Sequence, residues 1–213
     1  MKSLLKLSLL SVVFLMAVAS TKAQTKDNIF DGASEITWLG LDFSQAKFIG
    51  DASNFGGAGE VTNESFRDKF TKGWNQLFID EMKKYDVAAA VHRTGVKYAI
   101  DVTLKANSNL KKDFFSNSPN DYKSLTDEKI NSLVKGYDFQ GNSGIGLMYI
   151  VEGMSKGNKS CGIWVTFVDM KGHKVLFTKY LEGKPGGFGF KNFWAASFLD
   201  VLKDMKKEFK GWR

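Results

Sequence analysis

The chain has 213 residues, 30 basic against 23 acidic side chains and a formal charge of +7 at neutral pH. Its lysines alternate with Asp and Glu instead of gathering into a basic patch, which argues against a nucleic-acid binder. One cysteine, Cys161, excludes an intramolecular disulfide and a cysteine-cluster metal site, and it reads as a small buried apolar residue.

The first residues carry Lys2 and Lys6, an apolar run from Leu9 to Ala19, and small residues at Thr21 and Ala23. That is the pattern of a secretory signal peptide over residues 1–23, too short and too polar in its flanks for an ordinary membrane span. No cysteine follows it closely, so no lipid anchor is expected. Taking 23 residues from 213 leaves 190, and because three lysines and no acid leave with them the charge falls from +7 to +4. Residues 24–213 are expected to form a single α/β domain, large enough to bury a core without disulfide staples.

Ile36 to Phe43 is apolar on both alternating faces until Asp42 and reads as an internal first strand. Asn54 to Gly59 reads as a loop, after which Thr62 or Asn63 caps a helix whose stripe is Phe66, Phe70, Trp74, Leu77, Phe78 and Met82. The helix is expected to end near Tyr85. Val96, Tyr98, Ile100, Val102 and Leu104 then alternate with Lys97, Ala99, Asp101, Thr103 and Lys105, which predicts a strand with one buried and one wet face. That alternation in turn predicts helices on one side of the sheet only.

Residues 106–143 read as a polar insertion containing a short helix from an N-cap at Thr126 to Lys135, before Gly136. Strands follow at Gly144 to Glu152, Cys161 to Val168 and His173 to Tyr180, the last two joined by Asp169-Met170-Lys171-Gly172. Gly172 is expected in the left-handed position of a type I turn with a bulge. The chain closes on a helix with Trp194, Phe198, Val201, Leu202, Met205 and Phe209 on one stripe and lysines behind. The expected fold is α+β, a two-layer sandwich of one mixed, mostly antiparallel sheet with two long helices on one face.

Two glycine-rich loops, with Gly56, Gly57 and Gly59 in the first and Gly186, Gly187 and Gly189 beside Lys191 in the second, precede helices and could cradle an anion or small ligand. Neither completes a dinucleotide fingerprint or a P-loop. His92 and His173 are the only imidazoles, no glycine-flanked nucleophilic serine exists, and no ligand-spaced metal cluster is present, so catalysis, a metal and a cofactor are not expected. Asp42, Asp51 and Glu60 form a further acid grouping that could suit glycoside cleavage but reads better as caps and turns. The wet face at Lys97, Asp101, Thr103 and Lys105 is the expected interface for a partner protein or a second copy.

The order of elements, carried by Asp42-Phe43, Val168-Asp169 with Gly172, and the Trp194 to Phe209 helix, resembles the α/β domain of periplasmic envelope proteins such as the curli secretion channel lipoprotein and the penicillin-binding protein activator. The resemblance implies a strand and long helix leading through a central sheet and a hairpin to a C-terminal helix. The 106–143 segment and the missing lipid-attachment cysteine depart from it. Together these readings predict an exported, non-catalytic protein of the cell envelope, periplasmic or extracellular, that binds another protein. The alternative is a small-ligand or anion-binding module using the glycine loops, and a secreted hydrolase ranks third.

Overall fold

The computed structural model describes residues 23–50, 61–111 and 113–213. Its centre is β5 (Ile145–Ser155), in which every residue is buried. The strand is apolar almost throughout, as it must be when both faces are covered. Leu147, Tyr149 and Val151 enter one core, whereas Met148 and Ile150 enter another.

β1 (Ile36–Asp42) runs parallel to the first half of β5, and β2 (Lys47–Ile49) runs parallel to its end, so the two act as one strand interrupted at residues 43–46. Two short strands extend that edge, β3 (Lys97–Tyr98) parallel to β1 and β4 (Phe115–Ser116) parallel to β2. On the other edge β6 (Ser160–Asp169) and β7 (Lys174–Gly183) follow as antiparallel hairpins. The expectation of a mostly antiparallel sheet is therefore overturned. Among the described residues four strand pairings are parallel and two antiparallel, because every connection ahead of β5 is a crossover or a continuation instead of a tight turn.

The two-layer arrangement is overturned as well. One face carries α2 (Asn63–Ser65), a π-helical turn Phe66–Phe70 and α3 (Thr71–Asp80) as one helical run, together with α7 (Phe190–Glu208). Thr62 caps that run by accepting from the Ser65 N–H, and the run ends at Asp80 instead of near Tyr85. The stripe Trp194, Phe198, Val201, Leu202, Met205 and Phe209 is buried, as its spacing predicts. On the opposite face α5 (Asp101–Ser108) and α6 (Asp127–Lys135) set Val102, Ile130 and Val134 over Leu39, Met148, Ile150, Trp164 and Val168. The 106–143 segment thus supplies a covering layer. Around the margins, α1 (Lys26–Phe30) plugs Ile29 into the first core, and α4 (Val87–Ala90) does the same with Val87 and Ala90.

Two further local expectations change. The strand expected over 96–105 stops after Tyr98, and α5 replaces its second half. In the β6–β7 turn the left-handed residue is His173, at φ 48°, not Gly172, which instead donates its N–H to Asp169 Oδ1 at 3.1 Å.

Candidate functional site

Beyond Trp38, whose carbonyl accepts from Ala99 N at 2.9 Å, β1 has no strand beside its outer edge among the described residues. Its buried peptide groups still need partners, since an orphaned one costs about 1–3 kcal/mol. Three side chains from two helices supply them. Thr103 Oγ1 donates to Leu39 O at 2.7 Å. Asn75 Oδ1 accepts from Leu41 N at 2.7 Å while its Nδ2 donates to Leu41 O at 3.0 Å, so one carboxamide imitates a neighbouring peptide. Asn107 repeats the device, accepting from Phe43 N and donating to Leu41 O, both at 2.8 Å. Gly40, at φ 100° in a bulge, leaves room for this; a Cβ there would lie 2.3 Å from Asn75 Oδ1 and 2.4 Å from Thr103 Oγ1.

This lattice fixes α5 against the carboxyl end of β1, where an open cleft of about 510 Å³ separates α5 from α6. Val102, Ala106 and Leu133 form its apolar wall, Ser44, Asn109 and Ser132 contribute polar groups, and Tyr137 lines it with its hydroxyl buried. Behind it Asp42 is wholly buried, and Ser44 turns back on it, donating its N–H at 2.7 Å and its hydroxyl at 3.0 Å. Tyr137 follows the Gly136 that ends α6, and the residue is 6 % exposed. Its hydroxyl is buried and, among the described residues, has no hydrogen-bond partner. Burial first, and the Asp42 charge second, push this phenol well above the usual tyrosine range, so it remains a neutral O–H donor. At the rim Lys105 Nζ lies 2.9 Å from Asp138 Oδ2 with both side chains more than half exposed, which neutralises the cation locally but adds little stability.

The residues expected from sequence are dispersed by the fold. Thr103 is buried within the lattice, Lys97 on β3 pairs with Glu35 at 2.7 Å, and Asp101 and Lys105 lie exposed on α5, so the four do not make a strand face. The physical reason is the polar demand of the β1 edge, which a helix carrying Thr103 and Asn107 one turn apart can meet and a strand with Thr103 in water cannot. Gly56, Gly57 and Gly59, with Asp51 and Glu60, lie outside the described residues. Gly186 donates its N–H to Phe193 O at 2.9 Å, and Gly187 and Gly189 take positive φ values of 92° and 79°, the latter as the N-cap of α7. The Lys191 carbonyl accepts from Trp74 Nε1 at 2.8 Å, and its side chain runs beside Gly73 of α3. Phe188, at the tip of that loop, is 95 % exposed.

Other chemically able groups are committed to the framework. The His92 ring stacks on Phe209 and its Nε2 meets Lys206 O at 2.9 Å, and His173 lies edge-on to Phe139. Burial pushes the Cys161 thiol upward, away from reactivity. Glu152 is buried and accepts from Ser124 N, Leu125 N and Trp164 Nε1, which ties the start of the α6 segment to the sheet. No group of three or more His, Cys, Asp or Glu that could hold a metal ion occurs among the described residues.

No protein-family model, no curated protein and no solved structure matches this chain.

Proposed function

We propose that this chain is an exported, non-catalytic binding protein that takes a small neutral ligand in the cleft between α5 and α6. The observation that carries the reading is the Tyr137 hydroxyl, a buried donor without a partner among the described residues, in a residue that lines the cleft. Buried polar groups in folded proteins are nearly always satisfied, so this donor beside a cleft is available to an acceptor on a ligand that displaces the Tyr137 ring or reaches behind it. The cleft volume of about 510 Å³ falls within the roughly 300–1,000 Å³ of small-molecule sites. Its place at the carboxyl end of a parallel strand is where open α/β sheets take ligands, a fold-level analogy that adds to the argument. The ligand is neutral because Lys105, the one cation lining the cleft among the described residues, is already paired with Asp138 and the acid behind the site, Asp42, is buried. It has an apolar body for Val102, Ala106 and Leu133, and an oxygen or nitrogen acceptor for Tyr137.

Export is supported by the signal-peptide pattern at residues 1–23. Among the described residues no helix is long and apolar enough to cross a membrane. An envelope protein of this kind would hold its ligand for a partner, which keeps the protein-binding role as the downstream step. Thermal shift with a panel of neutral amphiphiles, such as nucleosides, aryl glycosides and simple phenols, tests the reading. A ligand at about a hundred times its dissociation constant adds about 2.7 kcal/mol to stability. The expected result is a shift in the wild type that Tyr137→Phe loses; a flat panel, or a shift that Tyr137→Phe keeps in full, contradicts it.

A further inference from the structure

Among the described residues, the first hydrogen bond from the N-terminal side into the fold lies at the end of the signal-peptide pattern. Gln24 N donates to Asp169 Oδ2 at 3.2 Å, a bond that spans 145 positions of sequence. The next residue, Thr25, is the N-cap of α1 and closes a capping box with Asn28, and four residues later Ile29 is wholly buried in the core. Ala23, immediately before, is exposed.

The acceptor is unusual for a turn. Asp169 is only 6 % exposed, and its other oxygen is held by the Gly172 N–H. Ala23 and Gln24 border an open cleft of about 470 Å³ together with Ser143, Gly144, Asp169 and Lys171, so a chain end has space there. A peptide N–H gives such a carboxylate a single neutral donor. An α-ammonium in the same place gives it a full charge and further N–H groups, and charge-assisted bonds are about twice as strong.

We propose that the Ala23–Gln24 bond is the processing site of this chain, and that the ammonium released at Gln24 becomes the ion-pair partner of Asp169. The step is hydrolysis by a signal peptidase: water adds across the peptide bond, the carboxylate stays on Ala23 and leaves with the signal segment, and the protonated amine stays on Gln24. Cleavage thereby completes the fold at the base of the β6–β7 turn, so the mature chain is more stable than its precursor. The inference rests on the export part of the proposed function and is independent of the ligand cleft.

The test compares a chain beginning at Gln24, released from a fusion that leaves no extra residue, with one beginning at Lys22, each with and without Asp169→Asn. The expected result is a melting temperature about 2–4 °C lower for the extended chain, the size of a 1 kcal/mol effect in a protein of this length, and no such gap in the Asp169→Asn pair. Gln24→Ala retains the ammonium while preventing cyclisation of an N-terminal glutamine, and it is expected to keep the gap. Equal melting temperatures, or a gap that survives Asp169→Asn, overturn the ion pair. Mass spectrometry of the N-terminus after expression with the native leader separates the two levels: cleavage at another bond overturns this inference alone, whereas retention in the cytosol with the leader intact overturns export itself.

Discussion

Tyr137 concentrates the functional argument in a single atom. A buried hydroxyl without a partner costs about 1–3 kcal/mol, so in the absence of ligand Tyr137→Phe is expected to raise stability by about that amount in urea denaturation at unchanged m-value. A loss of stability would show that the hydroxyl already has a partner, and the cleft would lose its main support. A gain in stability accompanied by a loss of ligand response is the trade expected when a strained polar group is kept for function. Tyr137 was not legible in the sequence as a site, since a tyrosine next to a helix-ending glycine looks like any core aromatic. Only the clue of Gly136 as a helix stop placed it at an element boundary, where binding residues concentrate. Thr103 was misread for a related reason, because its polarity signalled water when it was meeting the Leu39 carbonyl.

Elements with a local signature came through well. The N-cap at Thr126, the α6 limits before Gly136, the α7 stripe and the pairing of β6 with β7 were all legible, because capping and periodicity are short-range, whereas the left-handed residue of the β6–β7 turn was not. The segment from Val96 to Lys105 alternates like a strand, yet Ala99, Val102 and the Ala106 that follows it stand at helical spacing toward the second core, with Thr103 and Asn107 beside them. Which period wins is decided by the outer edge of β1, a feature sixty residues away. Thr103→Val, which keeps shape and removes the donor, is expected to destabilise by about 1–3 kcal/mol in chemical denaturation. Asn75→Ala is expected to cost at least as much, since it orphans Leu41 N and opens a void. Thr103 Oγ1 and Asn75 Oδ1 are 3.3 Å apart, so the double variant is expected to cost less than the two single losses added together. Strict additivity, or single costs under about 0.5 kcal/mol, would show that solvent replaces the lattice.

For the molecule as a whole, strand direction was the least legible property. The parallel pairing of β1 with β5 joins segments about a hundred residues apart, and nothing in either segment encodes its neighbour's direction. The near-continuous apolar run of β5 did carry the correct message, burial on both faces, which required a covering layer from somewhere in 106–143. With α6 in that role, two layers become three and a cleft opens where α5 and α6 diverge over the end of β1. The glycine loop at 186–189 stands as the competing location, with Phe188 exposed at its tip. The most direct measurement is therefore amide chemical-shift mapping of the chain with the strongest hit from the neutral-ligand panel. The expected result is a set of perturbed amides confined to 102–109, 132–138 and Ser44. Perturbations centred on 186–193, or scattered without a focus, would contradict the assignment of the cleft as the binding site.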